Sequence, residues 1–390
     1  MDSLVLQSAA AKSVELYDRT TARHIPFPDT QEGRLAAKLL IPWLEHSPTH
    51  FVANVTTDLY VLRLGDILLP FTVNFEEYEN SYVCSPYTHY VTYAKEELYK
   101  LKQPLLESIL GRLLDGIGFL LKAGRMNQTV QVNNGLLSTN LYPDQVPSLL
   151  NKGLDLLRTN FPEHTIIFRS LAVSVNAPWI HALREQQFRF IPSRQVYLFS
   201  SPNAKARWLI KRDRQLLQKN GYEVVRTEQL TLTDIPRLKS LYDMLYLEKH
   251  SRCNPWFTEA FFTQSLQSRT LQLYALRCTA SDRLDAVMGF YVKDGVMTTP
   301  VFGYDTSLPQ ELGLYRMLSS VLIGLSEQNG WRLHESSGAA EFKRNRGALA
   351  DIEFSAVYDA HLPFTRRTSW FILERLLTRI GVPLMRKWKL

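Results

Sequence analysis

Apolar residues change period repeatedly along this chain, and each change marks the edge of an element. Residues 50–74, "HFVANVTTDLYVLRLGDILLPFTVN", hold two extended runs around a Gly-Asp turn. "SYVCSPYTHYVTYAKEEL" (81–98) continues the extended pattern and then turns helical. "PLLESILGRLLDGIGFLLKAG" (104–124) has helical spacing and ends near glycine. "TVQVNNGLLST" (129–139) is strand-like, and "DQVPSLLNKGLDLLRTNF" (144–161) is helical with Asp144 as its expected cap. A buried strand "HTIIFRSLAV" (164–173), a short helix "PWIHALREQQ" opened by Pro178, and a strand "RFIPSRQVYLFSS" (189–201) complete an alternating α/β pattern.

The pattern then restarts. A cationic helix over 204–221 closes at Gly221, and strand "YEVVRTEQL" follows. Next come helix "TDIPRLKSLYDMLYLEKHS" (233–251), a short helix near "TEAFFTQSL" and strand "LQLYALRC". Residues 284–305 form a hairpin around Lys293-Asp294-Gly295. Helix "QELGLYRMLSSVLIGLSEQNG" (310–330), strand "WRLHES" and strand "EFSAVYDAHLP" end the repeat. Two α/β domains are expected, 1–203 and 204–362, with a tail over 363–390; the 390-residue length suits two cores.

Composition adds little, but charge placement adds much. Apolar content of 45% and charged content of 21% are ordinary for globular chains. Cys84, Cys253 and Cys278 stand far apart, so no metal site or disulfide framework is expected. The first residues lack a continuous apolar stretch, and no run is long enough to span a bilayer, so the expected location is cytoplasmic. Net charge is +7, of which residues 366–390 carry +6. There the cations interleave with Trp370, Leu373, Leu377 and Ile380 at helical spacing. Such a basic amphipathic helix either docks on the body or lies on a membrane surface, which would add peripheral contact at the inner face of the membrane.

The element order of the second half resembles the GNAT acyltransferase fold. The cationic helix ending in glycine, "KARWLIKRDRQLLQKNG", is similar to the one preceding the second domain in FemAB-like and CelD-like proteins. "SSGAAEFKRNRGA" resembles the segment after the fifth strand in GNAT-like proteins of peptidoglycan biosynthesis and recognition. The resemblance implies two GNAT-like domains in tandem, the second better defined, with a basic amphipathic C-terminal helix. It also implies acyl-CoA as co-substrate, acetyl-CoA included, slotted between strands near 296–304 and 331–336, with no metal. Its phosphate loop would use Gln310 and Gly313, with Tyr315 standing where the family has a small residue.

Acyl transfer to an amine needs a base, oxyanion donors and a proton for the leaving group. Glu335 and His334 end the later strand and alternate in facing, so one of them can reach the cleft. Asp305 and Tyr304 end the earlier strand as further catalytic candidates. Lys343 and Arg346 share a helical face and can grip one anion, whereas Arg344 points aside. The plainer reading of these cations is a solvated cluster balanced by Glu341 and Asp351. The resemblance implies that "LEKHSRCNPWF" lines the acceptor pocket, with His250, Asn254 and Trp256 as candidates, and "SPYTHYVTY" adds Tyr90 from the other half; Cys253 as a nucleophile is the weaker reading.

Three functions compete. The first is transfer from acyl-CoA to a small-molecule or lipid-linked amine. The second is a FemAB-type reaction drawing on aminoacyl-tRNA, the one setting in which nucleic acid is expected. The third is a non-catalytic GNAT-like binding module at a membrane surface.

Overall fold

The computed structural model describes residues 13–199 and 202–388. Twelve strands form one sheet: β1 (Val14–Tyr17), β2 (Asp58–Leu64), β3 (Ile67–Asn74), β4 (Thr129–Val132), β5 (Thr165–Ala172), β6 (Arg189–Phe199), β7 (Tyr222–Arg226), β8 (Gln272–Cys278), β9 (Arg283–Lys293), β10 (Val296–Tyr304), β11 (Arg332–His334) and β12 (Ala348–Tyr358). The principal helices are α1 (Gln31–Glu45), α2 (Pro104–Ala123), α3 (Leu150–Asn160), α4 (Val173–Glu185), α5 (Ala204–Lys219), α6 (Ile235–Asp243), α7 (Glu259–Ser268), α8 (Leu314–Asn329), α9 (Ala340–Asn345), α10 (Phe364–Leu376) and α11 (Val382–Trp388).

The strand order is β1-β2-β3-β4-β5-β12-β6-β11-β10-β9-β8-β7. Strands one to four of each half pair antiparallel, and the fourth pairs parallel with the fifth: β4 with β5, β10 with β11. A helix joins the fourth and fifth strands in both halves, α3 in one and α8 in the other. This is a duplicated GNAT-like architecture with its last strands exchanged. β12, from the second half, lies between β5 and β6; β6, from the first, lies between β12 and β11. The β12–β6 ladder is long, running from Ala348↔Phe199 to Val357↔Arg189.

The sequence patterns explain most elements. β2 and β3 turn at Gly65, whose φ is +65°, and β9 and β10 turn at Asp294 and Gly295, with φ of +47° and +74°. Three local expectations are corrected. Residues 81–85 form turns rather than a strand, and helical structure begins at Pro86. Asp144 is not a cap, since α3 starts at Leu150. Pro178 lies inside α4, two residues after Asn176 leaves helical angles, so the helix accommodates proline by kinking.

The tail docks. Trp370 and Leu373 on α10 are 1% exposed and pack with Ile117 and Leu121 of α2, Ile167 of β5 and Val357 of β12. Buried Arg366 on the same helix donates to the carbonyls of Gly124, Glu163 and Gln128. No helix among the described residues is long and apolar enough to cross a membrane.

Because each half lacks a central strand without the other, unfolding should be a single event. Urea titrations followed by far-ultraviolet circular dichroism and by tryptophan fluorescence are expected to give coincident midpoints. Two resolved transitions would show that the halves hold together independently.

Candidate functional site

β10 and β11 pair over only three positions, ending at Thr298↔His334. β10 then continues to Tyr304 with β9 alone, through a register shift between Thr298 and Val301. The two strands splay beyond that point. A cavity of about 550 Å³ occupies the gap and extends toward the first half. Thr299 and Phe302 of β10, Tyr315 and Ser319 of α8, and Glu335 and Ser336 after β11 line its inner end.

Two buried polar atoms at this splay have no hydrogen-bond partner, Thr299 Oγ1 and Glu335 Oε2. An orphaned buried carboxylate oxygen is expensive and asks for a ligand or a proton. Glu335 is half-buried because the cavity reaches it, yet its carboxylate is closely surrounded. Burial pushes its pKa up to about 7, against the pull of Lys343 and Arg346. A carboxyl poised there suits a base working near neutral pH.

The loop that carries Glu335 is held unusually tightly. Ser336, Gly338 and Ala339 have φ of +58°, +79° and +47°. Lys343, 7% exposed, reaches back from α9 and donates to the carbonyls of Glu335 at 2.6 Å and Ser337 at 2.8 Å, with Ser336 farther away at 3.4 Å. An ammonium has three donors, and these contacts occupy them. Burial lowers the Lys343 pKa to about 8, opposed by Glu335. Lys343 therefore shapes the loop and tunes Glu335; it is not the free anion grip expected from helical spacing.

Arg346 is corrected in the same way. Its guanidinium lies over the Phe342 ring, and its Nε donates to Asp213 at 2.7 Å. Asp213 is fully buried on α5 and also accepts from Arg316 at 2.7 Å. The shared face of residues 343 and 346 points inward, toward carbonyls and a carboxylate. Arg344 is exposed, as helical spacing requires.

The other candidates divide between cavity and scaffold. Tyr315, His250 and Asn254 line the cavity with Glu335 and Lys343. Burial keeps the Tyr315 phenol protonated and lowers the His250 pKa. Asn254 donates to the Tyr246 and Ser251 carbonyls, which fixes its loop. His334 does not line the cavity; it is 3% exposed, its Nε2 has no hydrogen-bond partner, and burial lowers its pKa to about 4. Asp305 is engaged by Arg237 at 2.7 Å, and the Tyr304 hydroxyl accepts from Lys249 at 2.9 Å, so neither is a free catalytic group. Trp256 donates to the Arg252 carbonyl outside the cavity, and Tyr90 belongs to the core beneath α10. Cys253 has its pKa raised to about 12 by burial, which removes it as a nucleophile.

The phosphate-loop residues sit at the start of α8. Gln310 is exposed in a short 3₁₀ turn, and Gly313 takes φ of +77° to enter the helix. The Tyr315 ring lies against Phe302, Tyr304 and Phe342, so it closes space that a small residue would leave open. The splay fits an extended arm better than this turn fits a diphosphate.

Sequence reasoning missed the opposite wall. Arg194 of β6 pairs with Glu353 of β12 through two bonds of 2.9 and 3.1 Å, and its Nη2 also donates to the Ser138 carbonyl at 2.6 Å. Ser193 Oγ lies 2.9 Å from His89 Nε2. Arg194, Ser193, His89 and Tyr82 all line the cavity. An arginine and a glutamate 159 residues apart meet here only because the last strands exchange.

The first half has the matching splay, but it is filled. Gln131 donates to the Cys84 carbonyl, Asn134 to the Val83 carbonyl and to Thr72, and Arg169 to the Val83 carbonyl. Residues 81–85 thus plug the place that stays open in the second half.

No protein-family model matches the chain, and no curated protein matches it. Among solved structures it is similar to L-PGS from Bacillus licheniformis, with 11% identity over 58% of this chain and 76% of that one, and a TM-score of 0.44. It is similar to FemX, with 8% identity over 54% of this chain and 77% of that one, TM-score 0.41. A tandem GNAT protein from the clavulanic acid biosynthesis pathway has 10% identity over 88% of this chain and 98% of its own, TM-score 0.38. Likenesses this distant assign no residue and no substrate, and the chemistry of the site stands on its own geometry.

Removing Arg346 should therefore act on stability. Arg346→Ala is expected to cost roughly 3–5 kcal/mol, because Asp213 stays buried with one partner fewer. Arg344→Ala should stay within about 0.5 kcal/mol. Urea denaturation of both variants measures the contrast, and equal costs would contradict it.

Proposed function

We propose that the protein is a GNAT-type N-acyltransferase that moves an acyl group from acyl-CoA to an amine. The observation that carries this reading is the buried, unpartnered carboxylate oxygen of Glu335 at an open splay. Thr299 on the facing strand offers a second unpaired polar atom to an extended acyl donor. Glu335 takes a proton from the attacking amine, the C–N bond forms and the C–S bond breaks. Tyr315, which lines the same cavity, is the proton donor to the leaving thiolate in this reading. The acceptor enters from the side of Arg194, His89 and His250. An envelope precursor or a lipid-linked amine is the acceptor class in this reading.

One observation favours a second reading, aminoacyl transfer from tRNA. Lys205, Arg207, Lys211, Arg212, Arg214 and Lys219 are exposed on α5, and Trp208 beside them is 59% exposed. Neutralising Lys211, Arg212 and Arg214 together should abolish binding of aminoacyl-tRNA if this reading holds. Peripheral membrane contact through 366–390 is a separate proposal: the apolar face at Trp370 and Leu373 is docked, so contact would rest on exposed cations such as Arg379 and Arg386. Binding to anionic vesicles that survives loss of those cations would rule it out.

For the acyltransferase reading, Glu335→Gln should lower kcat by about 10²–10⁴-fold with an amine acceptor, read as thiol release from acetyl-CoA. Wild-type kcat/KM should rise as pH passes about 7. Lys343→Met removes a cation that holds the Glu335 pKa down, so that rise should move to higher pH. An unmoved profile would separate Lys343 from Glu335.

Stability should respond in the opposite sense to activity. The pKa of Glu335 is raised on folding, so the stability tied to its proton is complete below about 4.5 and is lost as pH rises through about 7. Glu335→Gln is therefore expected to melt at a higher temperature than wild type at pH 8, with little difference at pH 4.5. A lower melting temperature at pH 8 would mean that the ionised carboxylate is satisfied in the fold.

A further inference from the structure

The cavity has two chemically distinct parts, supplied by different elements. Its inner floor comes from the sheet and the loop after it, and is polar: Ser193, Arg194, Thr299 and Glu335. Its outer walls come from helical segments, including residues 93–101, which add Glu97 and Lys100. α2 contributes Leu110, Leu113 and Leu114, and the chain around and within α11 contributes Leu377, Leu384 and Met385. No charged group of α2 or α11 lines the cavity among the described residues.

α2 is the unusual wall. It is a 20-residue helix whose only charged residues are Glu107, Arg112, Asp115 and Lys122. A helix this apolar is ordinarily buried on most sides. Here only Ile117, Gly118 and Leu121 are buried. α10 packs on its last turns, with Ser369 against Leu120 and Gly124. Its first three turns find no such cover. Leu110 and Leu114 are half-buried and face the cavity, while Leu105 and Ile109 are 78% and 56% exposed. The protein thus maintains an apolar wall opposite a second apolar wall, with space between them that leads to Glu335.

We infer that this outer compartment binds an unbranched hydrocarbon chain, attached to the substrate whose reactive end reaches Glu335. The assignment of that reactive end rests on the proposed acyl transfer; the chain site itself does not. An acetyl group would use only the polar floor and leave both leucine walls facing water. A chain of several methylenes removes them from water, and each buried methylene tightens binding about three- to fourfold. The chain can arrive on the acyl donor or on the amine, and the two are separable.

The test is isothermal titration of full-length protein with two series, each below its micelle concentration. One runs through acyl-CoAs of increasing chain length, the other through n-alkylamines. At least one series should tighten three- to fourfold per methylene over several steps. A steep acyl-CoA series places the chain on the donor; a steep alkylamine series places it on the acceptor. Leu114→Gln should flatten the steep series while leaving its shortest member unchanged. Leu384→Ser, on the opposite wall, does the same job if Leu114→Gln fails to fold. Flat series, or a slope unchanged in whichever variant folds, overturns the inference. A steep slope in a protein that transfers nothing would keep the chain site and remove the proposed function. Turnover with short acyl donors and flat binding would do the reverse.

Discussion

The insertion of β12 between β5 and β6 is the constraint on which the rest depends. Backbone N–H and C=O groups in the centre of a sheet must be paired, because water cannot reach them. Residues 348–358 satisfy β6 along one edge and β5 along the other. Without them each half would carry an unpaired edge through its own core. The exchange ties the last strand of the second half to the middle of the first. It also brings Glu353 opposite Arg194, which lines the cavity from the first half.

Two-fold repetition of the architecture does not produce two sites. Both halves have a parallel pair that diverges, because a helix follows the fourth strand and the fifth starts beside it. In the first half, amides and a guanidinium turn into the gap and hold residues 81–85 there. In the second half the position matching Arg169 is Glu335, one step past the last pair, and it and Thr299 beside it carry side-chain oxygens with no partner. The filled gap is part of the scaffold. The open one keeps polar atoms that cost stability, which is the usual signature of a site reserved for something else.

Much of this was legible in the sequence. The periods of most strands and helices, the hairpin turn at Asp294-Gly295 and the outward direction of Arg344 all follow from local spacing. So does the rule that only one of Glu335 and His334 can face the cleft, though which one is decided by the fold. The failures share one cause. Helical spacing put Lys343 and Arg346 on one face, correctly, but did not say what that face meets. It meets Asp213 from a helix 133 residues earlier and the carbonyls of a left-handed loop. Asp305 and Tyr304 failed likewise, because their partners Arg237 and Lys249 come from another element.

The tail shows where local information stops. Its amphipathic pattern is a property of residues 366–390, and it allowed either docking on the body or contact with a surface. Trp370 and Leu373 are docked because α2, β5 and β12 together form a recess that fits them. By itself the sequence determined most of the segments that are helix or strand, the α/β class, the duplicated order and the concentration of positive charge at the end. Those follow from the periodicity of side chains along one stretch of chain. Tertiary structure alone decided which strands exchange, which of two splays stays open, which cations are already satisfied and where an apolar helix is left uncovered. Each of those depends on pairings between groups far apart in sequence, and a pairing has no periodicity to read.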